Sequence, residues 1–394
     1  MQTADRGDPA FHRWRRKNAS AVDEHVELTL STEIGGVEMT SSVDRVPKSI
    51  RKTSWGRNRM LSLSSTMRKG LVALVIAFVA GASRAESGAS QETVAAHVMA
   101  ATRAAGDDLK SLMSLCKPAP AQRPSQEQVD KLLAKAIAEP RPSPGKAFDN
   151  LYFVGAKWVS SWAIKTSDGI ILIDALNNAD EAESQIVGGL RKLGMDPAQI
   201  KYIIVTHAHG DHYGGVPFLV QKYHPRVVMS AADWTMTETQ LEFTSPLWPA
   251  PPKRDMAVND GDEVRLGDTT IKLYLTPGHT MGTLSPVFDV RDGKSTHRVM
   301  LWGGTGFNFG KDLPRLASYI DSTARMQSLA TQQHIDVLIS NHSGFDNALQ
   351  KLASIQAGSA QPNPFVMGTP AVERALTAMR ECAEANRDRF ELEP

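Results

Sequence analysis

Three histidines and one aspartate fall within six residues at His207-Ala208-His209-Gly210-Asp211-His212. Imidazole nitrogens and carboxylate oxygens are the donors that suit zinc, at about 2.0–2.2 Å. A chain with only 11 histidines seldom crowds three into one loop by accident. His207 and His209 are two apart, so a near-extended stretch points both the same way. Asp211 and His212 lie past a glycine bend and face a second metal. Two more histidines, in Pro277-Gly278-His279-Thr280 and Ser340-Asn341-His342-Ser343, each follow an apolar run and open a loop. Either alone would read as a loop histidine. Beside the first cluster, both are expected as ligands. The chemistry such a set supports is hydrolysis without a serine or cysteine nucleophile, because metal lowers the pKa of bound water to about 7.

The other histidines read as ordinary. His224 precedes a proline, His297 sits beside Arg298 and His334 follows two glutamines; all three are expected on the surface. His97 falls in a helical stretch, and His12 and His25 fall near the N-terminus.

The ligands need strand ends to carry them. Leu151–Val154, Trp162–Ile164, Ile170–Ile173, Tyr202–Val205, Val227–Met229, Ile271–Leu275, Val299–Leu301 and Val337–Ile339 are short β-rich runs bounded by turn signals. The run 202–205 is fully apolar, as in a strand buried on both faces. Helical periodicity intervenes at 182–193, 216–223 and 316–330. Strand ends on one edge of a sheet converge on a shared site. The texture is that of a layered α/β sandwich. Ahead of it, residues 90–115 and the segment opened by the capping box Ser125-Gln126-Glu127-Gln128 read as helices, separated by the Pro-rich linker 118–124. Thr369-Pro370 opens a last helix, predicted to run to about Asn386.

His-x-His-x-Asp-His after an apolar strand, Pro-Gly-His-Thr-x-Gly after a later one and a third histidine near the domain's end resemble the metallo-β-lactamase superfamily, over roughly residues 148–353. The resemblance implies a four-layer αββα sandwich, here with an N-terminal helical extension and a C-terminal helix. It implies two zinc ions per chain: His207, His209 and His279 on one, Asp211, His212 and His342 on the other. Asp174, after Ile171-Leu172-Ile173, matches the family's strand-end aspartate that supports the ligand loop; its alternative is a turn residue. Thioesterase and lactonase relatives carry a bridging aspartate where this chain has Gly304. Lacking it, the chain is similar to subclass B3, whose metals are bridged by hydroxide alone. That subclass usually presents serines near here to hold a lactam carboxylate, and this chain has Gly304 and Gly306 instead. The resemblance therefore implies β-lactam-like amide hydrolysis by a hydroxide between two zincs, with Asp211 ligating and orienting it. Hydrolysis of an ester, lactone or phosphoester, or non-catalytic metal binding, remain as alternatives.

The 394 residues carry a formal charge of +1, which argues against a nucleic-acid partner and leaves a small-molecule substrate. Basic residues cluster early (Arg13, Arg15, Arg16, Lys17, Arg51, Lys52, Arg57, Arg59), where they read as a solvated leader. Met67-Arg68-Lys69, the apolar run 71–82 and Ser83-Arg84-Ala85 have the pattern of a signal peptide, with Glu86 the expected mature N-terminus. The apolar run is too short to span a bilayer of about 30 Å, so no membrane attachment is expected after cleavage. Translation is then expected to start at Met67 or Met60. The expected organisation is a leader at 1–66, a signal peptide at 67–85, a helical extension at 86–147, the catalytic domain at 148–355 and a C-terminal linker and helix at 356–394. A periplasmic or secreted location is oxidising, so Cys116 and Cys382 are expected to pair.

Overall fold

The apolar runs become two sheets packed face to face. The computed structural model describes residues 88–359 and 362–392. The basic leader, the signal peptide, the expected cut at Glu86, and His12 and His25 all lie outside the described residues.

The first sheet has seven strands in sequential order: β1 (Gly145–Phe148), β2 (Leu151–Phe153), β3 (Trp162–Thr166), β4 (Gly169–Ile173), β5 (Ile200–Ile204), β6 (Arg226–Ser230) and β7 (Met256–Val258). Strands β4 to β7 are parallel. The second sheet runs β12-β11-β10-β9-β8, from β8 (Glu263–Leu266), β9 (Thr269–Leu275), β10 (Leu284–Asp292), β11 (Ser295–Trp302) and β12 (Val337–Ser340). Strands β9 and β11 both run antiparallel to β10, and β12 runs parallel to β11. So β9, β11 and β12 all end on one edge.

Side-chain alternation builds the layers. On β11, Val299 and Leu301 join Ile171, Ile173 and Ile204 between the sheets. Met300 and Trp302 face the other way, onto a second apolar cluster with Leu316 and Met379. The outer face of the first sheet buries Leu172, Ile203 and Val205 under Ile186, Leu219 and Trp234. The helices are α1 (Gln91–Ala105), α2 (Gln126–Ile137), α3 (Val216–Tyr223), α4 (Ala231–Thr239), α5 (Leu313–Gln333), α6 (Ala348–Gln356) and α7 (Thr369–Leu392). Helices α1, α5 and α7 cover the second sheet; α3, α4 and the helical stretch 179–192 cover the first. The result is a four-layer αββα sandwich with helices before and after it.

Several expectations shift. Residues 90–115 do not form one helix: Gly106, at φ 55°, ends α1, and a 3₁₀ turn Lys110–Cys116 follows. The expected cap at Ser125 is present, and Ser90 caps α1. Strand β10 is long and central, yet Leu284-Ser285-Pro286 disguises it. Pro286 precedes Val287, the first residue paired with β11, so its missing N–H costs no ladder bond there. His297 is not a plain surface residue: it is largely covered and its Nδ1 sits 2.6 Å from Asp336. The cysteines are joined, Cys116 to Cys382, tying the 3₁₀ turn to α7. Among the described residues, no helix is long and apolar enough to cross a membrane.

Candidate metal centre

The ends of β4, β5, β9, β11 and β12 meet at one edge, and the chemistry-bearing residues follow them. Strand β5 leads through Thr206 into the histidine loop, where His209 caps a helical turn Gly210–Tyr213. Strand β9 delivers His279 and β12 delivers His342. One ligand atom from each of His207, His209 and His279 lies within 4.8 Å of the others; the same holds for Asp211, His212 and His342. The two groups adjoin, with the His207 and His212 rings 4.1 Å apart. Gly210 is needed for a reason other than a bend: a Cβ there would run into the Trp248 ring.

Hydrogen bonds fix which nitrogen of each ring is bare. A carbonyl only accepts, so His207 Nδ1 donates to Gly303 O at 2.8 Å, His279 Nδ1 to Gly306 O at 2.7 Å and His342 Nδ1 to Trp158 O at 3.0 Å. In neutral imidazoles, each Nε2 then presents a lone pair. The Nε2 atoms of His207 and His279 face each other at 3.1 Å, which two lone pairs do not tolerate without a cation. Two nitrogens at about 2.0–2.1 Å from a tetrahedral zinc lie roughly 3.3 Å apart. The buried His212 Nε2 makes no hydrogen bond, although Asp211 Oδ2 is 3.3 Å away. The donor set therefore fits metal.

Electrostatics agree. Burial, and then the other histidines, hold His207 well below its usual pKa, and burial does the same to His279. Burial, followed by His212, pulls His342 down to about 4. His212 goes the other way: burial disfavours its cation, yet Asp211 and Asp174 push it up to about 10.

Asp174 is fully buried, with φ 61° at the end of β4. Its Oδ1 accepts from Thr206 N at 2.7 Å; its Oδ2 accepts from Thr206 Oγ1 at 2.9 Å and His212 Nδ1 at 2.8 Å. It supports the ligand loop and is not a mere turn residue. A Cβ at Gly304 would lie 2.6 Å from His279 Cβ, so the His279 side chain occupies the space that a residue 304 side chain would need.

Three supporting residues carry no signal in the sequence. Glu242 Oε2 lies 3.2 Å from His209 Nε2, so His209 turns Nδ1 toward its group. Arg315, buried, donates twice to Glu242, at 2.5 and 2.8 Å, and also to the backbone oxygens of Gly278 and His279. Burial would raise the Glu242 pKa, but the bonds from His209 and Arg315 bring it down to about 2. Asp233 Oδ2 accepts from Ala208 N and Thr280 Oγ1, both at 2.8 Å, and so joins two ligand loops.

The profile of the Metallo-beta-lactamase superfamily matches residues 155–294. The chain carries a metallo-β-lactamase domain. A Cronobacter sakazakii metallo-β-lactamase with a HARLDQ motif superposes with a TM-score of 0.58 at 24% identity, covering 71% of this chain and 98% of that one. A subclass B3 metallo-β-lactamase of Bradyrhizobium japonicum, BJP-1, shares 28% identity over 60% of this chain and 90% of its own, with a TM-score of 0.49. A hydroxyacylglutathione hydrolase of Rhodopseudomonas palustris is 39% identical over 87 residues, 22% of this chain and only 29% of that relative. This metallo-β-lactamase domain is thus of the hydrolase superfamily, with two candidate metal-binding groups of His and Asp.

Proposed function

We propose that the chain is an exported hydrolase using two zinc ions, one on His207, His209 and His279 and one on Asp211, His212 and His342, and that its substrate is an amide of the β-lactam kind. The observation that carries this reading is Gly304. With the His279 side chain packed against it, no carboxylate can reach across from position 304, so three protein ligands remain per group. The likeness to the Cronobacter enzyme extends over nearly all of that chain and supports the same fold. The disulfide supports an oxidising location.

Bound metal would supply a Lewis acid for the carbonyl and an activated water. The residues do the rest. Glu242 and Asp174 hold the His209 and His212 rings so that their bare nitrogens face the groups. The Gly303, Gly306 and Trp158 carbonyls do the same for His207, His279 and His342. Asp211 lines the open cavity and is held ionised: burial opposes its charge, and the surrounding histidines outweigh that. It is placed to orient the attacking nucleophile. Trp158, Phe243 and Trp248 exclude water from the walls.

A second reading rests on the 39% identity, over 87 residues, to a hydroxyacylglutathione hydrolase, which favours a thioester substrate. Turnover of a chromogenic cephalosporin, a lactone, a phosphodiester and a hydroxyacylglutathione by the zinc-loaded protein, each with and without chelator, separates the readings. Chelator-sensitive cephalosporin turnover is expected. Turnover confined to the thioester would replace the amide reading.

A further inference from the structure

We propose that Arg123 is the anchor for a negatively charged group on the ligand, a carboxylate, and that this cleft therefore selects anionic acyl compounds with an apolar body. The inference rests on the reading of the cleft as a metal-dependent hydrolase site.

The metal groups open onto a cavity of 720 Å³ whose lining includes His209, Asp211, His279 and His342. Its other wall comes from outside the sandwich, from the linker 118–124 and helix α2. Val129 and Leu133 of α2 pack against Phe243, with Trp158 and Trp248 beside them, so this wall is apolar and fixed. Within it, histidines aside, Arg123 is the one cationic side chain among the described lining residues.

Its donors are only partly used. Arg123 Nε donates to Phe309 O at 3.1 Å, which aims the guanidinium. Its Nη2 stands 4.0 Å from Glu242 Oε1, the outer limit of an ion pair and beyond hydrogen-bond reach. Glu242 is already bound twice by Arg315 and once by His209. Among the described residues, no acceptor binds either terminal nitrogen of Arg123. The side chain is 45% exposed, so a ligand can reach it. Two aligned N–H donors with one edge free match a carboxylate.

The backbone carrying it is pinned. Ala119 N donates to Asn386 Oδ1 at 2.8 Å, and Lys311 N donates to Ala121 O at 2.8 Å. Pro118, Pro120 and Pro124 fix φ along the segment. Little order remains to be imposed when an anion binds. The position also answers a lack: in the loop after β11, positions 304 and 306 are glycines and offer no side chain of their own to an anion.

The test uses zinc-loaded full-length protein and a matched pair of probes, 2-mercapto-3-phenylpropanoate and its primary amide, with affinities measured by calorimetry. The thiol of each engages the metals and the phenyl ring the apolar wall; only one carries the charge. The wild type is expected to prefer the carboxylate by roughly ten- to a hundredfold, the worth of a charge-assisted hydrogen bond. R123Q is expected to lose that preference while keeping its affinity for the amide and its zinc content, and R123K to keep part of it. No preference in the wild type, or full preference in R123Q, overturns the proposal. Equal loss of both affinities in R123Q also overturns it, by showing that Arg123 only braces Glu242. Turnover on the same preparations keeps the two ideas apart. Preference without hydrolysis of any substrate in the panel leaves the anchor standing and sinks the hydrolase reading; hydrolysis without preference does the reverse.

Discussion

The two ligand groups share a floor but are built differently. The first, His207, His209 and His279, is cross-braced: Arg315 and Glu242 lock His209 to the backbone of His279, and Asp233 joins their loops. The second hangs on Asp174 behind His212 and a single carbonyl behind His342, while among the described residues no neutral donor holds Asp211. A braced site is preorganised and holds its ion tightly; a looser one exchanges ion and keeps room for substrate. The first group should therefore anchor metal and the second should decide the rate.

The sharpest way to break that contrast is Asp211→Ala. It removes a ligand and the group that orients the nucleophile. Turnover should fall by at least roughly 10²–10³-fold, the scale of losing one preorganised transition-state contact. Metal analysis should still find the first group filled. Near-full activity in this variant would mean the assignment of roles is wrong. His209→Ala should instead strip the first group, and a chelator should abolish turnover altogether.

Next come the braces. Glu242→Gln and Asp174→Asn should each weaken zinc binding by about ten- to a hundredfold, as support behind a metal-bound histidine commonly does. The loss should fall on the first group in one variant and the second in the other. Competition with a chromogenic chelator reads both steps. Identical profiles for the two variants would erase the distinction drawn here.

A smaller effect is expected at position 304. Gly304→Asp should not create a bridging ligand, because its Cβ would press on His279. It should lower zinc affinity of the first group several-fold and reduce Tm, through a stability loss of roughly 1–3 kcal/mol typical of overpacking. Tighter zinc binding would show that the His279 side chain yields. Least of all should Ser343→Ala matter to turnover. Its hydroxyl donates to Lys157 O, so about 1 kcal/mol of stability is at stake and the rate should stay near wild type. A large drop would show that nearness to a ligand matters as much as contact.

The six candidate ligands were legible because each sits at or just past a strand end in a short motif. The sandwich was legible because short apolar β-rich runs bounded by turn signals mark most of its strands. Other parts left no mark. Glu242 and Arg315 are 73 residues apart and meet only through the fold. Arg123 stood inside a linker that read as spacing. Strand β10 hid behind Pro286 and its charged end, and β8 alternates too briefly to be seen. Gly106 broke a helix whose periodicity on either side looked continuous. Contacts made across the fold rather than along it are what a single sequence withholds.

The Cys116–Cys382 bond closes a span of 266 residues, and its consequence reaches past stability. It sits two residues before the linker that forms one wall of the cleft, and the next anchor, Asn386, is one helical turn from Cys382 on α7. The wall is thus stitched to α7, while every candidate metal ligand belongs to the sandwich. Preparations that differ only in thiol oxidation would carry the same metals and differ in what they admit. The compartment in which the protein is made would then help set its taste for substrate.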